Sequence, residues 1–124
     1  MNNNEKIVVL LKRVGVTPAH RGWEYLIEAI TMVVEDPTAI NGITKIIYPT
    51  IAKKYDATPN AVEKAIRHSI GKAFEILPQS VKYEIFGNTV GYGKVTNGEF
   101  IGILAELITT EPNNPIWTIE RNEG

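Results

Sequence analysis

The sequence predicts an all-α domain of about six helices with an embedded helix-turn-helix. Three observations predict it. Apolar residues recur at helical spacing in segment after segment. Strand-like alternation is confined to Ile116-Trp117-Thr118-Ile119 near the end. Two helical segments meet at Asp56-Ala57-Thr58-Pro59, where a turn is followed at once by a helix-starting pair.

Each element has a local cause. Glu5 to Val14 carries Ile7, Val8, Leu10, Leu11 and Val14 on one stripe, and Gly15 stops it. Val16-Thr17-Pro18-Ala19 is a connector. Gly22 to Glu35 is a longer helix, with Trp23, Leu26, Ile27, Ile30, Val33 and Val34 on one side and Glu24, Glu28 and Glu35 off it. Asp36-Pro37 ends it, because a residue before proline is pushed out of the helical region. Ile40 to Tyr48 is expected as a short helix opened by Asn41-Gly42. Pro49 suits a first helical turn and begins the next helix, which carries Ile51, Ala52 and Tyr55.

After the Asp56-Ala57 turn, Thr58 is an N-cap and Pro59 the first helical residue. That helix runs from 59 to about 74 and buries Val62, Ile66, Ile70 and Phe74. Pro78 breaks the pattern. Gln79 to Phe86 is a short helix ended by Gly87, and Asn88 to Val95, with Gly91 and Gly93, is loop. Thr96-Asn97-Gly98-Glu99 is a capping box before Phe100, Ile101, Ile103, Leu104, Leu107 and Ile108. Residues 1–111 are expected as one domain and 112–124 as a tail. Trp23, Tyr25, Tyr48, Phe74, Phe86 and Phe100 are expected in the core.

The totals narrow the function. A chain of 124 residues with 44% hydrophobic and 22% charged side chains has enough apolar material for one buried core. It has no cysteine, which excludes disulfides, thiolate catalysis and cysteine zinc sites. No apolar run reaches the roughly 18 residues that span a bilayer. The start, Met1-Asn2-Asn3-Asn4, reads as a natural one without signal-peptide features, so a cytoplasmic location is expected. Net charge is −1, which argues against a strong nonspecific polyanion binder. Yet residues 43–75 hold six Lys or Arg against three Asp or Glu, a net +3, while 76–124 hold three against six. Positive charge therefore gathers on the helix-turn-helix.

No catalytic constellation emerges. Gly91-x-Gly93 lacks the strand before it and the Lys-Ser/Thr after it that a phosphate loop needs. His20 and His68 have no carboxylates at ligand spacing, so no metal or cofactor is expected. An enzyme is thereby disfavoured. A helix with one apolar side and one side bearing Asn60, Glu63, Lys64, Arg67 and His68 is how a helix-turn-helix presents itself to the major groove.

The chain resembles the C-terminal effector domain of the sporulation master response regulator of endospore-forming Firmicutes. The resemblance rests on Gly15-Val16, Pro18-Ala19-His20, Gly22, Tyr25-Leu26 and Glu28-Ala29-Ile30. It continues through Ile43-Thr44-Lys45, Tyr48-Pro49, Ile51-Ala52-Lys53-Lys54, Val62-Glu63, Ala65-Ile66-Arg67-His68 and Ile70. Phe86-Gly87, Thr96-Asn97 and Glu99-Phe100-Ile101 complete it, from about Glu5 to Leu107. It implies a winged-helix-like effector domain without a clear wing. It also implies sequence-specific binding to double-stranded DNA, pairing of two copies on DNA, and contact with RNA polymerase and its sigma factor. No membrane partner is implied. The family carries arginine at the positions of Ala61 and Lys64, and an arginine reads guanine more strictly than a lysine or an alanine can. A receiver domain normally precedes the family's effector domain. The tail after Leu107, with Trp117, is unlike the family.

On this basis the base readers are Asn60, Glu63, Lys64 and Arg67. The phosphate contacts are Thr50, Lys53, Lys54, Thr58, His68 and Lys72. Each has a simpler alternative. Lys64 and Arg67 lie three residues apart and can form a solvated face; Asn60 is a common first-turn residue; Glu63 can pair with Arg67 one turn on. Lys53 and Lys54 suit a helix C-terminus, and His68 can sit at a helix margin. His20 is read as a capping or packing residue. The rival function is a protein-interaction module on the same scaffold. A continuous positive surface favours DNA, and one broken by Glu63 and Asp56 favours a protein partner.

Overall fold

A computed structural model describes residues 1–87 and 94–110, all of whose regular elements are helical. The expected loop Asn88 to Val95 lies outside the described residues over 88–93, as does the tail from 112, including Trp117. The helices are α1 (Asn3–Arg13), α2 (Trp23–Glu35), α3 (Tyr48–Lys54), α4 (Pro59–Ile76), α5 (Gln79–Phe86) and α6 (Asn97–Thr110). The all-α expectation holds, and the helix boundaries agree to within about two residues.

The caps explain the boundaries. Asn2 accepts from Glu5 N–H while Glu5 reaches back to the Asn2 N–H, a capping box that starts α1 before the expected Glu5. Gly15, at φ +93°, turns the chain out of α1, and Val16 N–H closes on Leu11 O. The same closure ends α3, where Ala57 N–H donates to Ala52 O and Asp56 takes φ +53°. Asparagine, aspartate and glycine tolerate that left-handed conformation best. Thr96 and Glu99 form the anticipated box at α6, each side chain accepting the other's backbone N–H.

One element differs from expectation. Ile40–Tyr48 is not a single short helix. A 3-10 turn runs over Pro37–Gly42, capped by Asp36, and a π turn over Ile43–Ile47 leads directly into α3. Asp36 and Pro37, which end α2, are what begin the 3-10 turn. Pro49 lies inside a continuous helical path. It has no N–H to give and its ring crowds the carbonyl four residues back, and a widened turn just before it accommodates both.

The core is shared by all the helices. Leu10 and Leu11 of α1, Leu26 and Ile30 of α2, Ile51 of α3, Val62 and Ile66 of α4, Phe86 of α5 and Phe100, Ile101 and Leu104 of α6 are buried in one cluster. Phe86 stacks on Phe100 and Phe74 meets both at a tilt, with centroids 5.2–6.5 Å apart, and the three rings lock α4 and α5 onto α6. Of the aromatic residues expected in the core, Tyr25 is only partly buried and meets Tyr55 edge-on. The apolar side of α4 faces this core, which leaves its polar side outward.

Gly71 stands on that outward side, and a β-carbon there would meet nothing within 4 Å. Glycine in a helix interior costs about 0.5–1 kcal/mol relative to alanine. Gly71→Ala is therefore expected to raise unfolding stability by about that amount, read as a higher urea midpoint at unchanged m-value.

Candidate nucleic-acid interface

The outward face of α4 is built by its start and by its neighbours. Thr58 Oγ accepts Ala61 N–H at 3.1 Å, and Pro59 occupies the first turn, so the helix begins abruptly with Asn60 exposed. From there Ala61, Lys64, Arg67, His68, Gly71, Lys72 and Glu75 recur at helical spacing along one groove of about 730 Å³. Small residues (Ala61, Ala65 and Gly71) form part of its lining, and basic side chains form most of the rest.

Arg67 is held from one side only. Its Nε lies 3.5 Å from Glu63 Oε2, one turn earlier. An exposed helix pair of this kind contributes a few tenths of a kcal/mol. It engages Nε and leaves both terminal nitrogens for another acceptor. Glu63 is thus turned toward its own helix, while its backbone carbonyl accepts from Asn97 Nδ2 at 3.2 Å. Asn97 also donates to Tyr48 Oη at 3.0 Å. One amide therefore ties the start of α6 to both helices of the helix-turn-helix. A second groove, of about 820 Å³, runs along that flank and shares Arg67, Gly71 and Glu75 with the first.

The phosphate candidates divide. His68 and Lys72 line the first groove with Lys64 and Arg67. Thr50 and Lys53 are exposed on α3, away from the lining of either groove. Lys54 is tied internally: its ammonium pairs with Glu28 Oε2, which also accepts from Tyr55 Oη at 2.8 Å. Burial, then the hydrogen bond and charge of Glu28, push the Tyr55 phenol up to about 12. Burial raises the Tyr48 phenol as well, against the opposing hydrogen bond from Asn97. Both stay neutral at physiological pH, so the charge of this surface comes from lysine and arginine. Asp56, in the turn, is not among the groove residues.

Sequence reading missed Arg21. It precedes α2, some forty residues from Lys64, yet it lines the same groove. The cause is its neighbour. Gly22 N–H donates to Ser69 Oγ at 3.0 Å, and Ser69 in turn donates to Ala65 O at 2.8 Å. A β-carbon on Gly22 would lie 2.5 Å from Ser69 Oγ and 2.7 Å from Ala65 O. Only glycine lets the chain touch α4 this closely. His20 braces the same turn, its Nδ1 accepting Thr17 N–H at 3.0 Å. No local pattern in the sequence announces such a contact.

Among the described residues no group of three His, Cys, Asp or Glu is placed to hold a metal ion, and no helix is long and apolar enough to cross a membrane. The surface is a basic groove along a helix-turn-helix. Comparison with known families agrees: the family described as Sporulation initiation factor Spo0A C terminal matches residues 7–108. The chain belongs to this family. The family is the DNA-binding effector domain of that sporulation regulator and is not an enzyme family. The chain is accordingly a DNA-binding regulatory domain of the response-regulator effector type. The match ends at 108, close to where the resemblance read from the residues ends.

Proposed function

We propose that this protein is a sequence-specific transcription regulator that lays α4 in the major groove of DNA. Residues 1–111 form the effector domain in this reading, with the helix-turn-helix at about 49–75, and 112–124 are a tail. Asn60, Lys64 and Arg67 meet base edges. Glu63 holds Arg67 and reaches a base only in part. Lys53, His68, Lys72 and the Thr50 and Thr58 hydroxyls meet phosphates, and Lys54 joins them when it releases Glu28. Two copies on adjacent boxes, and contact with RNA polymerase and its sigma factor, are part of this reading, and the resemblance to the family supports them. A cytoplasmic, nucleoid-associated location follows from DNA binding.

The observation that carries this reading is the continuity of the basic groove. Arg21, Lys64, Arg67 and Lys72, with His68 among them, line it against a single carboxylate, Glu75 at its end. Neither of the two acidic residues that would favour a protein partner lines it: Asp56 stays in the turn, and Glu63 lines the adjoining groove and pairs with Arg67 through Nε alone. A field of one sign along a helix of groove-filling width suits a polyanion. The family's arginines are replaced here by Ala61 and Lys64, so the preferred box differs from the family's usual one.

If about four phosphates are neutralised, log affinity falls against log salt with a slope near −3.6, at about −0.9 per phosphate. Anisotropy titrations of a labelled duplex at four salt concentrations measure it. A slope near zero contradicts the reading.

A further inference from the structure

We infer that Arg21 is a DNA-backbone anchor that grips the phosphate strand running beside α4, and that the Gly22–Ser69 contact exists to place it there. The inference rests on the proposed docking of α4. An α-helix with its side chains is about 10–12 Å across and the major groove about 12 Å wide, so a helix lying in it has a phosphate strand along each flank. Whatever stands beside the reading face at the same height stands against a phosphate strand.

Arg21 stands there. It is exposed and shares the groove with Ala61, Lys64, Ala65 and His68, residues of the N-terminal and middle turns of α4. These are the turns in which a recognition helix meets bases. The residue after it is welded to α4 through Ser69 Oγ and the Ala65 backbone. The residues before it form a hydrogen-bonded turn, with His20 N–H donating to Thr17 O at 2.9 Å, and a second bond, Trp23 N–H to His20 O at 3.1 Å, spans Arg21 itself. Arg21 is thus carried on a rigid support between two fixed points. No ion pair or side-chain hydrogen bond engages it among the described residues. A cation whose backbone position is fixed and whose side chain no carboxylate engages, on the rim of a basic groove, is available to an anion that comes from outside. A planar guanidinium suits a phosphate's paired oxygens.

The assignment separates from the base-reading roles by its signature. A phosphate contact carries no sequence information, so losing it weakens all duplexes alike and lowers the salt slope by about 0.9. The test uses the full chain, wild type, Arg21→Ala and Arg21→Lys, on a selected duplex and on a scrambled one at 50 and 200 mM salt. For Arg21→Ala the expected result is weaker binding to both duplexes by the same factor. Over that fourfold salt range it then loses about 3.5-fold less affinity than wild type does, from a slope reduced by 0.9. Arg21→Lys, a point charge at the same place, keeps most of the wild-type slope. Two results overturn the assignment: an Arg21→Ala slope and affinity equal to wild type, or a loss confined to the selected duplex. If wild type binds neither duplex, the DNA reading falls and this assignment with it. If wild type binds and only the Arg21 variants fail to respond, the assignment falls alone. Circular dichroism confirms that the exposed substitution leaves the helices intact.

Discussion

Gly22→Ala is expected to destabilise the domain by about 1–3 kcal/mol, the usual cost of forcing a methyl group into a packed interior. The new β-carbon meets Ser69 Oγ at 2.5 Å and Ala65 O at 2.7 Å if nothing moves. Ala65 O belongs to the backbone of α4, so the start of α2 must withdraw rather than the acceptor. Withdrawal lengthens the buried Gly22 N–H to Ser69 hydrogen bond, and an orphaned buried donor costs about 1–3 kcal/mol where the bond is lost outright. Gly22 has ordinary helical-region backbone angles, near φ −78° and ψ −1°, so the effect is one of space and not of conformational strain. Urea denaturation checks it: a lower midpoint at unchanged m-value is expected, and an unchanged midpoint contradicts the tight contact.

Arg67→Ala is expected to weaken binding to the preferred DNA sequence by about 1–3 kcal/mol, the value of a good two-pronged base contact. Folding should barely change, because the residue is largely exposed and its ion pair with Glu63 is a surface pair. The loss is expected to be sequence-dependent. A duplex altered at the base that Arg67 reads should be bound about equally by variant and wild type. The exposed pair also gives Glu63 a supporting part: it limits the rotamers of Arg67 before DNA arrives, which lowers the ordering cost at binding.

Much of the fold was legible because its causes are local. Thr58-Pro59, Thr96 with Glu99, Gly15 and Gly87 each act within a few residues, and the structure places helix ends at each of them. The stripe of Val62, Ile66, Ile70 and Phe74 is buried as its spacing implied. The segment from Pro37 to Ile47 was not legible. Apolar spacing of three to five residues fits 3-10, α and π turns alike over so short a stretch, and Asp36, Pro37 and Pro49 decided among them.

The candidate site was legible on α4 and illegible beside it. Lys64, Arg67, His68 and Lys72 share a face because one helix carries them. Arg21 joins them through a contact whose ends, Gly22 and Ser69, stand 47 positions apart in the chain, which leaves no mark on periodicity. Lys54 shows the converse. Its place at the end of α3 suggested a phosphate contact, but Glu28, from a helix 26 residues earlier in the chain, claims it. Asn97 read as part of a cap, and its hydrogen bonds to Tyr48 and to the Glu63 carbonyl depend wholly on how α6 docks.

The most direct measurement is selection of binding sites from a randomised duplex pool, at low and physiological salt, with Arg67→Ala beside wild type. A single enriched sequence that wild type holds at physiological salt and Arg67→Ala does not is the predicted result. Binding without sequence preference that disappears at physiological salt, identical for the two proteins, contradicts base reading by α4 and turns the surface over to a protein partner.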